Sequence, residues 1–224
     1  MTKLSIIVPF YNERENILIL YKELNEVLKK LIKDKKISDY EIIFVNDGSK
    51  DGSEFFFQEL AKKDKKLKII ELRKNSGQTP ALKAGFDNCS GDLIVTMDGD
   101  LQNNPKDIPR LMDKLEKGYD VVSGWRIKRK DSFFKKIVSR IMNNLRYLVL
   151  GDYLHDYGCS LKIYKKECID DLELFGELHR YITAYLFIKG YKIGEIPVDH
   201  RPRSFGKTKY KTFSNRGLNG LLDL

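Results

Sequence analysis

The chain has 224 residues, of which 42% are hydrophobic and 33% are charged. This length and composition allow a sizeable buried core and exclude a wholly disordered chain. The 41 lysines and arginines outnumber the 32 acidic residues, and the net charge of +9 favours an anionic partner such as a nucleotide, a nucleic acid or an anionic membrane surface. Cys89, Cys159 and Cys168 form no CxxC pair, so we expect reduced thiols in the cytosol.

Apolar strand-like runs alternate with helical patterns in the first half of the chain. Strands are predicted at residues 3–10, 40–47, 67–73, 91–98 and 119–125. Helices are predicted between them, at residues 12–33, 49–64, 79–89 and 105–118. The strands are continuous apolar runs, which is typical of parallel strands that helices cover on both faces. The pattern therefore predicts an α/β fold with an open, mostly parallel, Rossmann-like sheet flanked by helices.

Asn12 is the predicted N-cap of the first helix. Glu15 lies three residues further on, where it would complete a capping box.

The second half of the chain is less regular and more basic. It holds a short segment at 157–164, helical patterns at 165–173 and 178–189, and a strand at 191–198, which we expect to complete the same domain. The basic, amphipathic stretch 132–150 predicts either a helix on an anionic membrane surface or an ordinary helix that faces the core.

Charged side chains follow the carboxyl ends of several predicted strands. Glu13 follows the first strand, Asp47 the second, Asp98 and Asp100 the fourth, and Arg126 the fifth. Ligands of open α/β sheets bind outside these strand ends, so we expect a site there. The chain lacks the glycine patterns GxGxxG and GxxxxGK[ST], which argues against a standard dinucleotide site or a P-loop.

Asp98 and Asp100 place two like charges one residue apart at the end of an apolar run. Their repulsion costs stability unless a cation neutralises them, and carboxylate oxygens suit Mg²⁺ or Mn²⁺. We predict a metal site with Gln102 as a third ligand. The alternative is that Asp98-Gly99-Asp100 is only a turn, because aspartate and glycine favour turns.

Several stretches together resemble the family-2 glycosyltransferases of the GT-A fold. They are most similar to polyprenyl-phosphate sugar synthases, both the dolichyl-phosphate mannose and glucose synthases and their bacterial undecaprenyl counterparts. The stretches are SIIVPFYNE, FVNDGSKDGS, NSGQTPALKAG, DLIVTMDGDLQNNP, GYDVVSGWR and RPRSFGKTKY. In the last of these, Thr208 stands where the family pattern has serine.

The resemblance implies roles for individual residues. The nucleotide-sugar site would be formed by Pro9, Tyr11, Glu13, Val45, Asp47, Asp98, Gly99, Arg126, Arg203 and Lys207. Asp98, Asp100 and Gln102 would bind Mg²⁺ or Mn²⁺. Asp100, Arg126 and Asp156 would be catalytic, with Asp156 orienting the acceptor or the sugar hydroxyls.

The resemblance also implies an activity: inverting transfer of a hexose from a nucleotide sugar to a polyprenyl phosphate such as dolichyl phosphate. The product would be a lipid-linked sugar donor for glycan synthesis. UDP-glucose is the favoured donor and GDP-mannose the next. The absence of a QxxRW motif argues against a processive polysaccharide synthase.

Two other functions stay open from the residues alone: a sugar nucleotidyltransferase, and a non-catalytic basic domain that binds nucleic acid. Acidic residues gathered on one rim would repel nucleic acid, so we expect no such partner.

We expect residues 1–213 to form the catalytic domain and residues 214–224 to begin a juxtamembrane helix. The natural chain would continue into a membrane anchor, so we expect the protein at the cytoplasmic face of the membrane and in contact with an anionic surface.

Overall fold

The computed structural model describes residues 2–127, 154–170 and 172–205. Within these ranges, seven strands form one sheet. They are β1 (Lys3–Phe10), β2 (Asp39–Asn46), β3 (Leu67–Glu71), β4 (Leu93–Thr96), β5 (Val121–Trp125), β6 (Lys162–Lys165) and β7 (Ile193–Pro197).

Helices connect these strands. The α-helices are α1 (Arg14–Lys33), α2 (Ser53–Lys63), α3 (Gln78–Asp87), α4 (Ile108–Leu115), α5 (Lys166–Asp170) and α6 (Ile182–Ile188). Two 3₁₀ helices span Pro105–Asp107 and Leu178–Arg180. The predicted helix at 132–150 lies outside the described residues. Among those that are described, no helix is both long enough and apolar enough to cross a membrane.

The sheet has the strand order β3-β2-β1-β4-β6-β5-β7. Only β6 runs antiparallel to its neighbours β4 and β5, so the predicted α/β fold with a mostly parallel sheet is confirmed. The chain builds outwards from β1 to β2 and β3, then returns to place β4 on the other side of β1. This reversal opens a crevice at the carboxyl ends of β1 and β4, where sheets of this kind bind their ligands.

Both faces of the sheet are buried. In β1, Ile6 and Val8 pack into a core that includes Leu20 of α1, whereas Ile7 points to the opposite face and packs with Leu82 of α3. Full burial of each such side chain contributes about 1.5–3 kcal/mol. A strand covered on both faces needs apolar residues at consecutive positions, which explains the continuous runs in the sequence.

The predicted capping box at the start of α1 is wrong. Asn12 lies in the left-handed region with φ +50°. Its side-chain oxygen accepts a hydrogen bond from the Lys50 N–H at 2.8 Å, so it is used by the loop after β2. Asp51 of that same loop accepts a hydrogen bond from the Arg14 N–H at 3.0 Å. The start of α1 is therefore capped by a neighbouring loop and not by its own flanking residues.

The helix predicted at 105–118 is split in two. Pro109 is the second residue of α4, and proline clashes with the carbonyl four positions earlier, which here belongs to Pro105. The chain accordingly forms a 3₁₀ turn over Pro105–Asp107 before the α-helix begins at Ile108. Gly118, the predicted end of the helix, has φ +93° just beyond it, as glycine after a helix commonly does.

Candidate active site

The two aspartates predicted as metal ligands lie in a tight turn directly after β4. Asn103 holds this turn, because its side-chain oxygen accepts a hydrogen bond from the Asp98 N–H at 3.1 Å. Gly99 packs against Phe10 at the end of β1, and a Cβ atom at position 99 would lie 2.6 Å from the Phe10 ring. A glycine between the aspartates thus allows the turn to lie flat against β1.

Asp100 is buried, and its partners only partly offset the cost of burying its negative charge. One carboxylate oxygen accepts a hydrogen bond from the Gln102 N–H at 3.1 Å and the other accepts one from Arg203 at 2.7 Å. Burial and, next, the charge of Asp98 raise the pKa of Asp100 to about 6. Asp98 accepts a hydrogen bond from the Gln78 side chain at 2.8 Å, which is a neutral donor. The two carboxylates thus lie on one turn, where Asp100 meets the charged Arg203 side chain and Asp98 meets the neutral Gln78 side chain.

A third carboxylate faces the same space. Glu13 is buried just after β1, and Asn16 donates a hydrogen bond to one of its oxygens at 2.6 Å. The other oxygen accepts a hydrogen bond from Arg203 at 2.7 Å. The Arg203 guanidinium thus bridges Glu13 and Asp100, one carboxylate on each nitrogen. We call Glu13, Asp98 and Asp100 the acidic group.

Asp47, predicted to bind the nucleotide, organises a neighbouring loop. It is buried at the end of β2, and its carboxylate accepts hydrogen bonds from the Ser76 N–H at 2.7 Å, the Gly77 N–H at 3.0 Å and the Asn75 side chain at 2.8 Å. Burial raises the pKa of Asp47, and the two N–H donors oppose that rise. This loop leads into α3, whose first residue Gln78 reaches Asp98. Sequence reasoning assigned no role to Asn75 or Gln78, although both lie in the stretch NSGQTPALKAG.

Arg126 and Asp156 form an ion pair on the other side of the crevice. The Nε–H and Nη2–H groups of Arg126 donate hydrogen bonds to the two Asp156 oxygens at 2.6 and 2.8 Å. Each of the two side chains is only 12% exposed. Burial alone would lower the pKa of the guanidinium, but the hydrogen bonds and charge of Asp156 raise it. Arg126 therefore carries its positive charge in a fixed orientation. We call these two residues the arginine–aspartate pair.

A buried lysine lies behind this pair. Lys162 of β6 donates hydrogen bonds to the Tyr157 carbonyl at 3.2 Å and to the Cys159 carbonyl. Burial lowers the pKa of its ammonium group. Sequence reasoning missed Lys162, because a lysine beside an apolar run gives no sign that it points inwards.

The described chain also contains the other predicted site residues Pro9, Tyr11, Val45 and Gln102. Pro9 and Tyr11 are half-buried at the end of β1, and the Val45 side chain is fully buried in the core, which leaves only its backbone to face a ligand. The Gln102 side-chain amide lies 3.5 Å from His200 Nε2 and 3.3 Å from the Arg201 carbonyl oxygen, towards the C-terminal segment.

Lys207 lies outside the described residues, as do the basic residues 128–130 and the basic tail beyond residue 205. The ranges that the structure describes contain no cluster of three or more histidine, cysteine or acidic side chains arranged as a metal centre.

The class of protein follows from the comparison with known families. Residues 5–173 match the family described as Glycosyl transferase family 2, and the chain belongs to that family. Among its relatives is the dodecaprenyl-phosphate galacturonate synthase of Rhizobium johnstonii, which is 40% identical over 227 residues. The match covers 99% of this chain and 65% of that relative, so the chain spans about 65% of the relative's length.

Solved structures agree on the fold. A mannosyltransferase from Pyrobaculum calidifontis in complex with GDP-Man and Mn²⁺ superposes with a TM-score of 0.63 at 20% identity, covering 88% of this chain and 55% of that one. Glucosyl-3-phosphoglycerate synthase from Mycobacterium tuberculosis with Mn²⁺ and UDP-glucose gives a TM-score of 0.64 at 19% identity, covering 90% and 72%. At these identities the likeness concerns the fold alone, and the predicted GT-A fold is confirmed.

Proposed function

We propose that this chain is the catalytic part of a glycosyltransferase that moves a sugar from a nucleotide donor to a polyprenyl phosphate. The observation that carries the proposal is the acidic group at the crevice between β1 and β4, with Asp100 buried beside Asp98. The name of the Rhizobium relative supports a lipid-phosphate acceptor.

Asp98 and Asp100 are the residues that we propose to hold Mg²⁺ or Mn²⁺, with Gln102 as a third ligand after rotation of its side chain. The donor set fits such an ion, because hard carboxylate oxygens on one turn leave positions open for phosphate oxygens. When bound, the cation would supply charge neutralisation for the diphosphate and for the leaving group. The two Mn²⁺-containing structures of similar fold support this assignment.

Arg203 is a positively charged side chain at the acidic group, beside the place where the diphosphate of the donor would bind. Its guanidinium is paired with Glu13 and Asp100 at 2.7 Å each and is part-buried. A cation held by Asp98 and Asp100 would compete with Arg203 for the Asp100 carboxylate. We propose that Arg203 then contacts the diphosphate, whose oxygens suit the planar guanidinium fork.

Arg126 is the proposed contact for the acceptor phosphate. A phosphate monoester has a second pKa of about 6 and is largely dianionic at neutral pH, so it needs no strong general base to act as the nucleophile. Positioning and charge stabilisation are then the main tasks of the protein. Because both Asp156 oxygens bind Arg126, we assign Asp156 to orienting Arg126 rather than to contacting sugar hydroxyls.

We propose UDP-glucose as the donor and GDP-mannose as the next candidate. The relative's name makes a nucleotide-linked galacturonate a third donor to test. We also propose that the whole protein works at the cytoplasmic face of an anionic membrane, because a polyprenyl acceptor resides in the lipid phase. The basic segment 132–150 would contact that surface.

The test is transfer of radiolabelled sugar from UDP-glucose, GDP-mannose or UDP-galacturonate to a short polyprenyl phosphate, with Mn²⁺ and with EDTA. We expect one donor to give a lipid-extractable product only with the metal. Asp98→Asn should abolish that product, whereas Asp113→Asn, which removes an exposed partner of Lys36, should not. Metal-independent transfer would contradict the role of the acidic group, and no lipid product from any donor would contradict the acceptor.

A further inference from the structure

Glu195, in the middle of β7, was given no role by sequence reasoning. Its carboxylate accepts hydrogen bonds from two consecutive backbone N–H groups: the His155 N–H at 3.1 Å from each oxygen, and the Asp156 N–H at 2.9 Å. The same carboxylate lies 2.7 Å from the ring nitrogen Nδ1 of His155. The Glu195 side chain is only 10% exposed.

These contacts fix a segment that has no regular structure of its own. Residues 154–161 belong to neither a helix nor a strand. Backbone N–H groups in such a segment need acceptors from elsewhere, and here a side chain of the sheet supplies one. A charged acceptor makes such hydrogen bonds roughly twice as strong as neutral ones.

A second contact holds the same turn. The His155 ring stacks on Trp125, with ring centroids 4.1 Å apart and planes 16° apart. Trp125 is the last residue of β5 and directly precedes Arg126. The turn at His155 and Asp156 is thus tied to β7 by Glu195 and to β5 by Trp125.

The arginine–aspartate pair depends on this turn. Glu195 binds the Asp156 N–H, and the Asp156 carboxylate binds the Arg126 side chain and, at 3.2 Å, the Arg126 N–H. A displacement of the turn would therefore be passed directly to the guanidinium. Reactions that rely on positioning are sensitive to this, since a shift of about 1 Å can cost about 100-fold in rate.

We propose that Glu195 is a positioning residue for the transfer reaction: by holding the turn at residues 155 and 156, it sets Asp156 to aim Arg126 at the acceptor phosphate. This inference rests on the proposed function. It concerns the acceptor side of the site, because the Glu195 carboxylate contacts the turn at His155 and Asp156 and, within the described chain, makes no hydrogen bond or ion pair with the acidic group.

Glu195→Gln is the informative variant. Glutamine keeps the shape but replaces one acceptor oxygen by an NH₂ group, which would face N–H donors of the turn. His155→Phe is the matched control, because it keeps a ring on Trp125 and both backbone N–H groups while removing the ring hydrogen bond to Glu195.

Two readouts separate positioning from general stability. The first is steady-state transfer with varied donor and varied acceptor. We expect Glu195→Gln to lower kcat by about 10- to 100-fold with little change in the KM for the nucleotide sugar. His155→Phe should stay within about 3-fold of wild type, since only one of the contacts of Glu195 is removed.

The second readout needs no activity: the Nε–H signal of Arg126 in ¹⁵N-edited NMR, assigned with Arg126→Lys. A guanidinium fixed by two hydrogen bonds should give a sharp Nε–H signal that is shifted from that of a solvent-exposed arginine. Glu195→Gln should move or broaden this signal, and His155→Phe should leave it in place.

Wild-type kcat together with an unchanged Arg126 signal in Glu195→Gln would overturn the proposal. So would a parallel loss of nucleotide binding and transfer, because that would indicate general unfolding. If the wild type transfers no sugar to any polyprenyl phosphate, the proposed function fails, and the NMR signal still decides whether Glu195 positions Arg126.

Discussion

The two sides of the crevice hold their charges in different ways. The acidic group places Glu13, Asp98 and Asp100 close together, with a single arginine, Arg203, shared between two of them. In the arginine–aspartate pair, Arg126 donates hydrogen bonds to both Asp156 oxygens. Among the described ion pairs, the acidic group has one arginine for its three carboxylates, whereas the arginine–aspartate pair joins one charge of each sign.

The acidic group is the side of the crevice that a bound cation would stabilise. Burial and the charge of Asp98 raise the pKa of Asp100 to about 6, which means that its charged form is less stable here than in water and that a nearby cation would stabilise it. The arginine–aspartate pair already has its charges satisfied, so its contribution is a fixed geometry. Substitutions of charged side chains test this contrast.

The largest effect is expected from Asp100→Asn. The change removes a ligand charge from the acidic group, and we expect sugar transfer to fall by about 1,000-fold, with loss of Mn²⁺-dependent nucleotide binding. The free energy of unfolding should not fall, because a buried like charge beside Asp98 is removed. Transfer assays, calorimetry with Mn²⁺ and UDP, and thermal unfolding check the three parts. Near-normal transfer would show that the acidic group is not the cation site.

The next effect is expected in the arginine–aspartate pair. Asp156→Leu or Arg126→Met alone leaves one buried charge without its partner and should lower the free energy of unfolding by about 3 kcal/mol. The double variant should lose clearly less than the sum of the two, because neither charge remains. A double-mutant cycle by urea unfolding measures the difference. Additive losses would mean that the two side chains do not stabilise one another.

A smaller effect is expected from a paired carboxylate at the opposite end of the sheet. Glu41 accepts hydrogen bonds from the Ser5 hydroxyl at 2.6 Å and the Ser90 N–H at 2.6 Å, and it pairs with Lys68 at 2.7 Å. Burial would raise the pKa of Glu41, but these partners together lower it to about 2.

The folded pKa of Glu41 is depressed, so its stabilisation is complete above the unfolded value of 4.5 and is lost as the pH falls towards about 2. We expect a contribution of about 2–3 kcal/mol at neutral pH. Urea unfolding at pH 7, 4 and 3 should show a smaller acid loss in Glu41→Gln than in wild type. Parallel pH profiles for the two proteins would contradict the assignment.

The smallest effect is expected from Lys83→Ala on α3. Lys83 and Asp87 form an i,i+4 pair in which both side chains are about half exposed, at 45% and 53%. Water screens such pairs, and a lysine N-terminal to its acidic partner is the less favourable order, so we expect a change below about 0.5 kcal/mol. A larger drop in the free energy of unfolding, measured by thermal unfolding, would show that this exposed pair stabilises the fold as much as the buried pairs do.

The sequence predicted the strands and the identity of the acidic group for a simple reason. Strands that are buried on both faces need unbroken apolar runs, and side chains that follow such runs in parallel strands meet at one rim. Asp98, Asp100 and Glu13 could therefore be placed together before any coordinates were known. The start of α1 could not be predicted in the same way, because its cap comes from Asp51, 37 residues away from Arg14.

The pairing of charged side chains depends on the tertiary structure. Arg203 lies 190 residues from Glu13 and 103 from Asp100 along the chain, and Glu195 lies 39 residues from Asp156. Local patterns carry no information about such pairs, because a salt bridge depends on distances of a few ångströms that the order of strands and the paths of loops determine. The sequence alone shows an acidic rim and a basic second half. Only folding brings Glu195 to Asp156 and Asp156 to Arg126, so that the three residues contact one another in turn.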